Sequence, residues 1–161
     1  MTGGDYRIVT AAIDPRTAEK LSPEARTECD LAVKDLLEGN VFHPLGSPGG
    51  PYRVLLGVED NRLLFQLFLT DDTPHGTAIL SLMPYRRLAA AYRRQCESFA
   101  LAEGGAHPRD AIEALDMGRR VLHDEGARLL MERLSGKVEM DLSTARGLFT
   151  LIYHCICGGS P

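Results

Sequence analysis

The chain has 161 residues, 44% of them apolar and 25% charged, and its 22 acids against 18 bases leave a formal net charge of −4. That length suits one domain, 1–161, able to bury a core without disulfides or a structural metal. With no apolar run near the ~20 residues of a membrane helix, the composition excludes membrane-spanning, fibrous, disulfide-scaffold and strongly basic proteins.

The N-terminus lacks the basic and apolar regions of a secretory signal. The four cysteines (Cys29, Cys96, Cys155 and Cys157) lack disulfide-framework spacing. A reduced, cytoplasmic protein is expected, with glycine-rich ends 1–5 and 158–161 that fray.

In chain order, Tyr6 to Ile13 reads as a strand stopped by Asp14-Pro15. Ser22-Pro23-Glu24 is a helix start, a capping hydroxyl followed by a proline whose missing N–H costs nothing there. Ala25, Cys29, Ala32, Val33, Leu36 and Leu37 then share a face, and Gly39 supplies a stop. Gly46 to Pro51 is a loop; without a Gly-Lys-Ser/Thr and a following helix it cannot cradle phosphate. Tyr52 to Glu59 alternates, with Val54, Leu56 and Val58 on one face. Asp60-Asn61 is a two-residue turn of types that tolerate positive φ. Arg62 to Leu69 returns with apolar residues on both faces, so it should be central or covered. Thr77 to Leu82 is a third meander strand, and helices follow over about 84–103, 108–134 and 142–157. Early strands and late helices predict an α+β fold, a small antiparallel sheet of about four strands packed against a helical C-terminal half.

Fifteen of the 18 bases are arginine, with only Lys20, Lys34 and Lys137 as lysines. GC-rich codon usage explains the total but not its placement. In the helix from Pro84, residues Tyr85, Leu88, Ala89, Tyr92, Cys96 and Phe99 form a core stripe of ~100°. Arg86, Arg87, Arg93 and Arg94 fall on another arc, with no acid between Pro84 and Gln95. Two of these arginines lie where the helix backbone is itself positive, an unfavourable placement that an anion or an acidic partner would relieve.

The next helix carries Gly118, Arg119 and Gly126 within or beside its apolar face of Ile112, Leu115, Leu122, Leu129 and Leu130. Each helix glycine costs roughly 1 kcal/mol against alanine, so close approach of another backbone or a ligand is expected in return. Arg119 on that side needs a partner. Asp116, Arg120 and His123 line the rim, and Asp116 with His123 are weak acid–base candidates lying ~10 Å apart along the axis. His43, His75 and His107 are placed in loops without ligand spacing. His154, Cys155 and Cys157 are weak candidates for a soft metal, because neighbouring helical positions point apart and buried Cys acts as a small hydrophobe. No metal or other cofactor is expected. No nucleophile elbow, dinucleotide fingerprint or phosphate loop occurs.

Longer blocks resemble a known family. They are Gly50-Pro51-Tyr52-Arg53, Asp60-Asn61-Arg62-Leu63, Ser81 to Arg87, Ala114 to Gly126, Glu132 to Lys137 and Asp141 to Ile152. Over about Ile8 to Ile152 the chain is similar to the bacterial family UPF0262. The resemblance departs at Gly147, where a second arginine is usual, and it implies no activity or catalytic residue.

The leading expectation is a non-enzymatic module that engages a protein partner or a second copy of itself through the arginine helix and the glycine-faced helix. The alternative is binding of a phosphorylated small molecule or RNA by Arg86, Arg87, Arg93, Arg94, Arg119 and Arg120, with nucleic acid the less favoured ligand. An enzyme using His123 and Asp116 comes third.

Overall fold

The computed structural model describes residues 4–159. In chain order the elements are β1 (Ile8–Ile13), α1 (Pro15–Ala18), α2 (Pro23–Glu38), β2 (Phe42–Pro44), β3 (Tyr52–Glu59), β4 (Arg62–Leu69), β5 (Pro74–Ser81), α3 (Met83–Glu103), α4 (Arg109–Leu134), β6 (Val138–Met140) and α5 (Leu142–Cys157). The α+β class holds, with four strands in the order β1-β3-β4-β5. The sheet is mixed rather than purely antiparallel, because β1 runs parallel to β3. A parallel pair needs a crossover, and α2 supplies it. A second sheet, β2 with β6, pairs Phe42 with Met140 and Pro44 with Val138. Strands of three residues are too short to leave a periodic signal.

Local chemistry sets the boundaries. The Ser22 hydroxyl accepts from the Ala25 N–H at 3.1 Å, and Asp141 caps α5 by accepting from the Thr144 N–H at 3.0 Å. Asp60 and Asn61 take φ of 49° and 62°, the left-handed geometry that joins β3 to β4. Opposite Leu67 the register shifts, so that His75-Gly76 form a bulge in β5, with Gly76 at φ 113°. His43 and His75 therefore lie in strands rather than loops. On the clasped edge of the sheet, the Asn40 side chain accepts from the Ile8 N–H at 2.6 Å and donates to the Ile8 carbonyl at 2.9 Å.

The core lies between the helices and one sheet face. Val54, Leu56, Leu63, Phe65 and Leu67 are buried against the helical layer, with Tyr52, Tyr85 and Phe149 fully enclosed. The opposite face carries the half-buried Leu55, Leu64 and Phe68 and the exposed Ile79. The ends are tied where they are described: Asp5 accepts from the Gly50 N–H at 2.6 Å and Gly158 from the Ser22 N–H at 2.8 Å. The expectation of fraying at 1–3 and 160–161 lies outside the described residues. Among the described residues no helix is long and apolar enough to cross a membrane.

The two helix glycines admit side chains of this same chain, where another backbone or a ligand was expected. At Gly126 a Cβ would lie 2.3 Å from ring atoms of Phe149; at Gly118 it would lie 2.5 Å from the Gln95 side-chain nitrogen, which donates to the Leu115 carbonyl at 3.1 Å. These positions respond oppositely to alanine. Phe149 is enclosed and cannot retreat, so Gly126→Ala lowers stability by about 1–3 kcal/mol despite its gain in helix propensity. At Gly118 the flexible Gln95 swings aside; one lost hydrogen bond of about 1 kcal/mol offsets a propensity gain of similar size, and Gly118→Ala stays near wild type. Urea unfolding of the two variants checks both.

Candidate anion-binding cleft

On α4, residues spaced three, four, seven and eight apart share a face, which lines up Asp116, Arg119, Arg120, His123 and Asp124. Helix α3 brings Tyr92 to that face and α5 brings Arg146. Together Tyr92, Arg119, Arg120, His123, Asp124 and Arg146 line a cleft of about 390 Å³.

Each acid is held by arginine. Asp116 accepts a short hydrogen bond from Arg119 and pairs with Arg120 at 3.0 Å. The hydrogen bond from Arg119, aided by both guanidinium charges, holds the Asp116 carboxyl below its ordinary pKa. Arg146 grips Asp124 with two bonds of 2.6 and 3.1 Å, which lowers that carboxyl likewise. Three guanidinium groups against two carboxylates leave one positive charge in excess.

Arg119 is only partly satisfied. Its guanidinium lies 4.8 Å above the Phe99 ring and bonds Asp116, but its Nε is buried without a hydrogen-bond partner among the described residues. His123 packs against the rings of Tyr92 and Phe149, and its Nε2 lies 2.9 Å from the Thr150 hydroxyl. That hydroxyl already donates to the Arg146 carbonyl at 3.1 Å, so it must accept from His123. The proton of neutral His123 is thereby fixed on Nε2. Burial holds the imidazole pKa below its ordinary value.

The other expected residues are sorted by this geometry. Asp116 and His123 do not pair, since Asp116 is bound to Arg119 and Arg120 and His123 to Thr150. Arg86, Arg87, Arg93 and Arg94 are all exposed along α3, away from the cleft. Arg86 donates to Asn61 at 2.7 Å and lines a separate polar cleft, while Arg93 pairs with Glu97 at 3.0 Å. At Gly147 a Cβ would stand 3.1 Å from Leu36, in the groove between α2 and α5.

Among the described residues no three His, Cys, Asp or Glu side chains gather as metal ligands. Burial pushes the Cys155 thiol up to about 12 and lowers His154. The sequence reading missed Arg146, an isolated arginine whose role depends on α5 crossing α4. It also missed the buried Ser47 hydroxyl, which joins His75 at 2.9 Å and Tyr52 at 2.6 Å and ties the 45–51 loop to the sheet.

A family model described as an uncharacterised protein family, UPF0262, matches residues 5–157. Similar chains include a UPF0262 protein of Nitrobacter hamburgensis, 46% identical over 146 residues that cover 91% of this chain and 88% of the relative. One from Rhizobium meliloti is 45% identical over 148 residues, 92% of either chain, and one from Rhizobium etli is 43% identical over 152 residues, 94% and 96% of the two. No solved structure matches.

The half-buried histidines set an acid-side dependence of stability. A folded pKa below the unfolded value of 6.5 means the unfolded chain binds more protons at acid pH. The stability contributed by neutral His123 is present in full above that pH and is lost as the pH falls through the folded pKa. His154 contributes with the same sign. Melting temperature should therefore fall between neutral pH and pH ~5, and His123→Gln should flatten that fall without abolishing it.

Proposed function

The chain belongs to the uncharacterised protein family UPF0262, and from that premise we propose that it binds a small phosphate-bearing molecule in the cleft between α3, α4 and α5. The observation that carries this reading is the convergence of Arg119, Arg120 and Arg146 on one concavity whose acids neutralise two of the three charges. Arginine presents paired donors that match phosphate oxygens, and most donors of Arg119 and Arg120 remain uncommitted. A polar anion entering there would exchange water for fixed guanidinium groups, with Tyr92 and His123 as the aromatic wall. No reaction is assigned, because the His123 N–H is engaged with Thr150 and, among the described residues, no acid hydrogen-bonds its ring. The same reading places the protein in the reducing cytoplasm, supported by four free thiols.

Inorganic pyrophosphate is the simplest probe. At a concentration near a hundred times its Kd, linkage adds ~2.7 kcal/mol, which raises Tm by about 5–10 °C for a domain of this size. Arg120→Ala and Arg146→Ala should each weaken binding at least about tenfold, while Arg94→Ala on the convex side of α3 leaves it unchanged. Absence of any shift with pyrophosphate, or equal loss in all three variants, would overturn the proposal.

A further inference from the structure

The anion cleft has a neighbour across Arg146. Helix α2 runs antiparallel beside α5. It is tied at its start, where the Ser22 N–H donates to the Gly158 carbonyl at 2.8 Å, and just beyond its end, where the Val41 N–H donates to the Thr144 hydroxyl at 2.9 Å. Between the two helices lies a groove of about 400 Å³, and His123 and Arg146 line both this groove and the cleft. The two concavities therefore adjoin at a guanidinium group that serves both.

The groove differs from the cleft in chemistry. Leu31, Ala32, Leu36 and Gly147 give it apolar walls, and Leu31, 53% exposed, is a large side chain left against water. Gly147 keeps the space open, because a Cβ there would stand 3.1 Å from Leu36. The Thr150 hydroxyl is already engaged with His123 and with the Arg146 carbonyl. Such walls offer little to a sugar or the edge of a base, and covering them with hydrocarbon is favourable. Glu28 and Asp35, on the α2 rim, enter no ion pair among the described residues. They repel a phosphate from that side, so a ligand with one charged end and one apolar end has a single favoured direction.

We propose that the ligand of the cleft is a phosphate or diphosphate ester of an apolar alcohol. Its phosphate meets Arg119, Arg120 and Arg146, and its hydrocarbon body passes Arg146 to lie along Leu31, Ala32 and Gly147 between α2 and α5. This inference rests on the phosphate-binding reading and adds to it the class of ligand.

Calorimetric titration of the full chain with pyrophosphate, and with methyl, propyl and hexyl phosphate, tests the two separately. Each methylene that enters the groove should tighten binding about threefold to fourfold, so hexyl phosphate should bind at least about thirtyfold more tightly than methyl phosphate. Glycerol phosphate, which matches propyl phosphate in carbons but carries hydroxyls, should bind more weakly than propyl phosphate. Leu31→Ser, at an exposed position that spares the fold, should lower the hexyl-to-methyl ratio at least about threefold, and Gly147→Val should lower it by narrowing the floor. Pyrophosphate binding with no dependence on chain length overturns this inference and leaves the phosphate reading standing. Failure of pyrophosphate and of every ester to bind overturns both. Hexanol binding as tightly as hexyl phosphate, glycerol phosphate matching propyl phosphate, or an unaltered ratio in both variants also overturns the inference.

Discussion

The contact of the Phe149 ring with the bare backbone of Gly126 sets the relation of α5 to α4, and the helical side of the molecule depends on it. A Cβ at that position would overlap the ring, so the two helices meet at a distance only glycine permits. At this spacing Phe149 reaches the rings of His123 and Tyr92, and Tyr92 in turn meets Tyr153 edge-on. Arg146, one turn before Phe149 on α5, is thereby brought within reach of Asp124 on α4. The cleft is a consequence of helix packing, which adds Arg146 of α5 to the charges that α4 carries on one face.

The arginines divide by surface shape rather than by number. Those on α3 lie along an exposed ridge where water screens each charge, and pairs such as Arg93 with Glu97 contribute little. At the junction of α3, α4 and α5 only Arg119 is part-buried, and the acids Asp116 and Asp124 hold it together with the exposed Arg120 and Arg146. The four arginines of α3 thus spread along one helix, while Arg119 and Arg120 of α4 are joined by Arg146 from another.

Much of the fold was legible in the sequence. Helix caps at Ser22 and the stop at Gly39 rest on local chemistry, as does the Asp60-Asn61 turn, and each lies where its residues require. Apolar periodicity likewise located three long helices and the β3–β4–β5 meander. The parallel β1–β3 pairing was not legible, since strand direction depends on where the intervening crossover deposits the chain. The site was half legible. Arg119 announced itself by standing on an apolar face, and Asp116 and His123 by sharing its helix. Arg146 gave no signal, because its partner Asp124 is 22 residues away on another helix. Nor could periodicity reveal that His123 bonds Thr150 rather than an acid, for that depends on the rotation of α5 about its own axis.

Asn40 gives Ile8 both the acceptor and the donor that a neighbouring strand would offer. A short side chain thus takes the place of a neighbouring strand at the start of β1. Sheets with two available edges can add neighbours indefinitely, and that is the route to fibres. By occupying both backbone groups of Ile8, Asn40 keeps a further strand from pairing at that end of β1 and so guards the sheet against open-ended addition there.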